Sequence, residues 1–306
     1  MLYSFKIQTR PLLTSRLVTV IDGSLEYVFP ARKGDSVHYY SNIPVLKKPE
    51  VHIFGYEGSF VVTDLALGGA SYLPPLQRKL NRGLARDRNV TYQVKVVGDP
   101  RHAIITFPHF KGRGGPEAPY PILNAGKFQF DNTVFISFQD PYLALGSYFL
   151  TDNYGKDPVT TAVSVIRRIL SKFGLNDSNA SFVGSSKGAN IAALVSSHFD
   201  SNQLILCAYS TELEYRLRNS HFVHLATALD FFGIRIPDSL EILKAEASRK
   251  ETHWFYSIGD DMANRGHEDT KALNLTSYPS EVGHSAVILD NWQNIHNLIH
   301  AYRVDT

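Results

Sequence analysis

The sequence predicts an α/β protein, a mostly parallel sheet flanked by helices, with a smaller β-rich region ahead of it. Three observations predict it. From "VTYQVKVVG" onward, short apolar runs alternate with helical patterns, the signature of βαβ units. Residues 1–95 lack that alternation and consist of Val-, Tyr-, Phe- and Thr-rich runs broken by Gly, Pro and Asp. A chain of 306 residues with 43% hydrophobic content is also long enough to bury a sizeable core and to carry a second, smaller part. The expected division is a β-rich N-terminal region over 1–95 and an α/β domain over 96–306.

In the N-terminal region the strand-forming runs are "RLVTVIDGSLEYVF", "SVHYYSNIPV" and "EVHIFGYEGSFVVTDL". One short helix is expected in "PPLQRKLNRG", with proline at its start and Gly83 past its end. In the second part the buried strands are "HAIITF", "TVFISF", "ASFVG", "LILCAYS", "HWFYSIG" and "LNLTSYP". The strongest helix is "DPVTTAVSVIRRILSKFG". Asp157 stands where an N-cap would, Pro158 in the first turn, and Gly174 at the stop, while Val159, Ala162, Val163, Ile166, Ile169, Leu170 and Phe173 make one apolar stripe. Residues 211–250 are helical and aromatic and interrupt the strand alternation, so they are expected to form an insertion that roofs a site.

Composition excludes several function classes. Formal net charge is +2, from 31 basic and 29 acidic residues, with no run of five like charges, so nucleic acid is not an expected partner. The one cysteine, Cys207, lies in the apolar run "QLILCAYS" and is expected to be buried as a small hydrophobe, which excludes thiol chemistry. The N-terminal stretch has no apolar core of signal-peptide length, and no stretch of about 18 apolar residues occurs. A cytoplasmic protein with no membrane span is the expectation.

The chemistry-bearing motif is Gly184-Ser185-Ser186-Lys187-Gly188, a G-x-S-x-G pattern. Such a pentapeptide arises by chance in roughly one chain in ten of this length. Its setting makes it specific: "ASFV" before it fits a buried strand and "ANIAALVSSHF" after it a helix, the strand-turn-helix context of a nucleophile elbow. There a sharp turn lifts the serine Oγ above the sheet edge, and glycines give room where a β-carbon would collide. Ser186 then stands at a helix N-terminus, where free amides favour developing negative charge.

A serine nucleophile needs an acid and a histidine later in the chain. "HWFYSIGDDMANRGHED" offers Asp260 and Asp261 directly after a strand. Asp261 is favoured for its position in the turn and Asp260 stands beside it, so the pair is the candidate, with a turn-forming or capping role as the structural alternative. His284 follows the last strand, in the loop "PSEVGHS", and is the candidate base. His267 precedes that strand, and His296 and His300 lie one turn apart on the final helix without a third ligand or an H-E-x-x-H pattern, so surface or packing roles are expected for all three and no metal is expected. For an oxyanion hole the donors are the backbone N–H of Lys187 and one from "PHFKGRGGPEAP"; Pro108 has none, leaving His109 or Phe110. Lys187 with the helix N-terminus is a further candidate anion site for a phosphorylated donor.

Ser186, Asp260 or Asp261, and His284 in this strand order resemble the α/β-hydrolase superfamily over residues 90–306. Within it, "IITFPHF", "FISFQDPYLALGSYFLTDNYG" and "FVGSSKGANIAAL" look like bacterial capsular polysaccharide biosynthesis proteins and the carbohydrate O-acetyltransferases of accessory secretion systems. Pro108 and Lys187 depart from that group's pattern. The resemblance implies an α/β-hydrolase-type fold and serine-dependent acyl transfer, as esterase or carbohydrate O-acetyltransferase, in polysaccharide or glycan metabolism. An acyl ester or glycan is the expected substrate. No cofactor is expected beyond an acyl donor such as acetyl-CoA for a transferase, and a protein complex or homo-oligomer is compatible with the group. The alternative is a non-catalytic α/β-hydrolase-like subunit or chaperone of a polysaccharide or secretion machine.

Overall fold

The computed structural model describes residues 2–10, 17–22, 25–30, 37–44, 50–53, 59–64, 84–109, 130–140, 142, 146–152, 154–200, 202–219, 223–260 and 267–305. The expected helix in "PPLQRKLNRG" lies outside the described residues.

Strands β1 (Leu2–Arg10), β4 (Val37–Pro44) and β6 (Ser59–Asp64) form one antiparallel sheet in the order β4-β1-β6. Strands β2 (Leu17–Asp22), β3 (Leu25–Pro30) and β5 (Glu50–Ile53) form a second, in the order β3-β2-β5. These are the β-rich segments that the turn-punctuated sequence foretells.

The large sheet has eight strands: β7 (Leu84–Asp87), β8 (Val90–Val97), β9 (His102–Thr106), β10 (Thr133–Gln139), β11 (Ala180–Ser185), β12 (Gln203–Cys207), β13 (Glu251–Ser257) and β14 (Thr276–Ser280). Their spatial order is β14-β13-β12-β11-β9-β10-β8-β7. All pairs from β10 to β14 are parallel, whereas β8 runs antiparallel to both β10 and β7. The division expected after residue 95 falls inside β8: the hairpin β7–β8 pairs into the large sheet.

Every residue of β9, β10, β11 and β12 is buried, which explains their continuous apolar runs. Alternate side chains feed two cores. Ile105, Phe107, Ile136, Phe138, Phe182, Leu204, Leu206 and Trp254 pack on one face with helix α1 (Val159–Lys172) and helix α2 (Lys187–Ser196). Ile104, Phe135, Val183, Ile205, Cys207 and Phe255 pack on the other with Val287, Ile288, Ile295 and Ile299. Helix α1 begins where the sequence places its signals: Asp157 Oδ1 accepts the Val159 N–H at 2.7 Å and Oδ2 that of Thr160 at 3.1 Å.

The insertion contains α3 (Leu213–Arg218), α4 (Val223–Phe232) and α5 (Ser239–Arg249). After β14 the expected single terminal helix is broken into a 3-10 turn His284–Ala286, α6 (Val287–Asp290) and α7 (Trp292–Asp305).

The strand order fixes where a site can form. From β9 the chain moves to β10 on one side, then crosses back to β11 on the other side of β9. The connections from β9 and β11 therefore lead to strands on opposite sides, which makes the carboxyl edge between them the topological switch point where open α/β sheets bind ligands.

Candidate functional site

Ser186 is the single residue between β11 and α2, with φ 54° and ψ −120°. This left-handed region is disfavoured for any residue with a β-carbon, and it persists because the surroundings over-determine it. The Ser186 N–H donates to the Cys207 carbonyl at 2.8 Å, tying the turn to the end of β12. A β-carbon on Gly184 would lie 2.1 Å from the Gly188 carbonyl oxygen, and one on Gly188 would lie 2.5 Å from that of Phe107. The two motif glycines thus let strand, helix and the end of β9 approach one another, and Ser186 is left half-buried at the crest of the turn.

His284 enters from the loop after β14, on the 3-10 turn, and its Nε2 lies 2.6 Å from Ser186 Oγ. Its Nδ1 is hydrogen-bonded to Asp260 Oδ2. Asp260 lies three residues past the end of β13, where its own N–H donates to the Ser257 carbonyl at 3.2 Å. Asp261, the favoured member of the aspartate pair, lies outside the described residues. Both members of the His284–Asp260 pair remain partly accessible, with 26% and 14% of their side chains exposed, so an incoming molecule can reach the imidazole.

A guanidinium completes this cluster. Arg216, on α3, places Nη2 3.4 Å from His284 Nε2. Arginine only donates, and an ionised carboxylate only accepts. The proton of His284 therefore belongs on Nδ1, toward Asp260, and the Nε2 lone pair faces Ser186 and Arg216. With that tautomer the Ser186 hydroxyl donates to Nε2, the arrangement general-base activation of a serine requires.

Lys187 follows Ser186 but turns its side chain inward. Its Nζ lies 3.1 Å from Asp140 Oδ2, and both side chains are fully buried. Asp140 also accepts the Ser147 N–H at 2.9 Å on each oxygen, the Ser147 hydroxyl at 3.2 Å and the Tyr148 N–H at 2.9 Å. An anion site built on the Lys187 ammonium is therefore overturned: that charge is neutralised inside the protein. The backbone of Lys187 still opens the first turn of α2 immediately after Ser186. His109, the other candidate oxyanion donor, lies at the exposed end of the segment leaving β9, and Phe110 lies outside the described residues.

His296 stacks on Phe130 at 4.7 Å between ring centroids, with the His300 ring 6.4 Å from it, and His267 opens a 3-10 turn ahead of β14. Among the described residues, no group of three or more His, Cys, Asp or Glu is arranged to hold a metal. None of their helices is long and apolar enough to cross a membrane.

Two residues at the site carry no role in the sequence reading. Asp140 had a signal: it directly follows a strand buried along its whole length, and a lysine forced inward by the elbow demands a partner. Arg216 had none, because only the fold brings α3 beside His284.

No protein-family model matches the chain, and no curated protein matches it. Solved structures do. The capsule O-acetyltransferase of Neisseria meningitidis serogroup A is 19% identical at TM-score 0.56, over 71% of this chain and 94% of that one. A variant of the same enzyme in complex with CoA is 17% identical at TM-score 0.55, over 73% and 99%. At these identities the likeness speaks for the fold. In architecture the chain is α/β-hydrolase-like and resembles the meningococcal capsule O-acetyltransferase.

Proposed function

We propose that the protein is a serine-dependent acyl-transfer enzyme. The observation that carries this reading is the chain of contacts from Asp260 through His284 to Ser186 Oγ, at a strained turn on the carboxyl edge of the sheet. His284 Nε2 takes the hydroxyl proton as Oγ attacks an acyl carbonyl, and the carbonyl π electrons move to its oxygen. Asp260 holds the imidazole in the required tautomer and stabilises the imidazolium. The tetrahedral intermediate collapses to an acyl-serine as His284 returns the proton to the leaving group. Water or a sugar hydroxyl then attacks the acyl-serine, giving its proton to Nε2, and the serine hydroxyl is regenerated.

The N–H groups of Lys187 and His109 are the oxyanion donors in this reading. Losing one such donor costs about 3 kcal/mol of transition-state stabilisation. Support for their proximity comes from the close approach of the Phe107 and Pro108 carbonyls to Gly188, which brings the segment leaving β9 against the start of α2.

The finer reading is transfer of an acetyl group to a glycan hydroxyl, with acetyl-CoA as donor. It draws on the sequence resemblance and on the likeness to a capsule O-acetyltransferase structure that contains CoA. The test is fluorophosphonate labelling and turnover of p-nitrophenyl acetate, with and without a glycan acceptor. Ser186 should be the labelled residue, Ser186→Ala should abolish turnover, and Asp260→Asn should lower kcat by about 10²- to 10⁴-fold. Equal turnover in Ser186→Ala would sink the reading in favour of a non-catalytic subunit. A crippled Asp261→Asn beside an active Asp260→Asn would move the acid to Asp261.

A further inference from the structure

Arg216 is an unusual neighbour for a base. Its guanidinium lies 3.4 Å from the nitrogen that, in the proposed reaction, must collect a proton, and at that moment two cations would face each other. Among the described residues it has no carboxylate partner. The other arginine of the same helix is treated differently: Arg218 is held by Glu214 at 2.9 Å and by both oxygens of Asp230 at 2.9 and 3.0 Å. Helix α3 is anchored by buried Leu213 and Leu217, so Arg216 is presented from a fixed support, half-buried beside the half-buried Ser186. A planar donor fork with no carboxylate partner among the described residues, set beside His284 Nε2, is built to receive a carboxylate or a phosphate.

We infer that Arg216 is a specificity-determining residue that binds an anionic group, carboxylate or phosphate, carried by the substrate close to the ester being made or broken. The inference rests on the reading of Ser186 as nucleophile. Contact with His284 restricts where the anion sits. In a CoA thioester the phosphates are separated from the acyl carbon by the whole pantetheine arm, so they do not fit a guanidinium touching the catalytic nitrogen. The anion belongs to the acyl chain itself or to an acceptor sugar, near the hydroxyl that reacts. Its arrival draws the guanidinium off Nε2, frees the lone pair for the Ser186 proton, and leaves the imidazolium facing a neutralised arginine.

The experiment compares the wild type, Arg216→Gln and Arg216→Lys. For the acyl arm the pair is p-nitrophenyl hydrogen succinate against p-nitrophenyl acetate. For the acceptor arm it is methyl glucuronide or glucose 6-phosphate against methyl glucoside, with p-nitrophenyl acetate as donor. In one arm the wild type should favour the anionic member, and Arg216→Gln should lower the anionic-to-neutral ratio of kcat/KM by about 10- to 100-fold, chiefly through KM. Arg216→Lys should recover part of it, since the charge returns without the fork. The responding arm identifies the carrier. A ratio identical in wild type and Arg216→Gln in both arms overturns the inference while leaving Ser186-dependent turnover standing. Absence of any Ser186-dependent turnover overturns the acyl-transfer reading instead. A calorimetric titration of Ser186→Ala protein with succinate, methyl glucuronide and glucose 6-phosphate then decides Arg216 separately: binding lost in Ser186→Ala/Arg216→Gln supports it, and no binding, or equal binding, overturns it.

Discussion

Lys187 and Asp140 form a fully buried ion pair, 3.1 Å apart, directly beneath the turn that carries Ser186. Taking both charges out of water is costly, and the pair is tolerable only because Asp140 also accepts the N–H groups of Ser147 and Tyr148. Removing one member strands the other, so Lys187→Met or Asp140→Ala should each destabilise by about 3–5 kcal/mol. Lys187→Met combined with Asp140→Leu should cost less than the sum, because no unpaired charge remains, though Ser147 and Tyr148 lose an acceptor. Urea denaturation of the singles and the double measures this; additive costs would show that the two charges do not depend on each other.

Gly188 offers a sharper local test. A methyl group there meets the Phe107 carbonyl oxygen at 2.5 Å, a backbone atom directly past the end of β9. Gly188→Ala should cost about 1–3 kcal/mol by overpacking and displace the segment leaving β9 from the start of α2. Thermal unfolding together with the rate of fluorophosphonate labelling at Ser186 reads both effects. A stable variant labelled at the wild-type rate would show that the approach of β9 to α2 does not shape the site.

The sheet and the candidate site were legible to different depths. The buried strands from "HAIITF" to "LILCAYS" were readable because a strand covered on both faces needs apolar residues at every position, whatever its neighbours, whereas "LNLTSYP", expected to be buried as well, forms the largely exposed edge strand β14. Ser186 and His284 were readable because each follows an apolar run and is set off by glycine, which marks the carboxyl edge where strands deliver side chains. The choice between Asp260 and Asp261 was not readable: adjacent residues in a turn point in different directions, and the direction is set by backbone angles that composition does not encode. The inward turn of Lys187 was equally hidden, since an exposed helix N-terminus and a buried one read alike until Asp140 is seen behind it. Arg216 lay beyond reach altogether, because its contact with His284 spans 68 positions and depends on where an insertion packs.

Strain at Ser186 predicts opposed effects on stability and chemistry. Both Ser186→Ala and Ser186→Gly remove the hydroxyl, but only glycine tolerates φ 54° with ψ −120° without cost. Such strain is of order 1–3 kcal/mol, offset in part by the greater freedom of glycine in the unfolded chain. Ser186→Gly should therefore be more stable than Ser186→Ala by about 1 kcal/mol, with both inactive. Guanidinium denaturation of the two variants decides it; equal stability would mean that the turn holds no strain that a β-carbon feels.

His102 predicts a loss of stability in mild acid. It is buried on β9, and its Nε2 lies 3.0 Å from Ser181 Oγ, whose own proton goes to Gln203 Oε1 at 2.8 Å. Nε2 therefore carries the proton, while Nδ1 is buried without a hydrogen-bond partner. Protonating Nδ1 would create a buried unpaired donor and charge, so burial, aided by the nearby Arg303 cation, pushes the His102 pKa from 6.5 down to about 3. The folded value lies below the unfolded one, so the unfolded chain binds the extra proton across this window. The contribution is fully present above pH 6.5 and is lost as pH falls from 6.5 toward 3. At about 1.4 kcal/mol per pH unit, roughly 2 kcal/mol should disappear between pH 7 and pH 5. Burial shifts His253 in the same direction, so the wild-type slope exceeds what one histidine supplies. His102→Gln, which keeps a donor toward Ser181 but cannot titrate, isolates the term: its unfolding free energy should fall less steeply than the wild type over this range, and parallel curves would show that His102 is not held neutral.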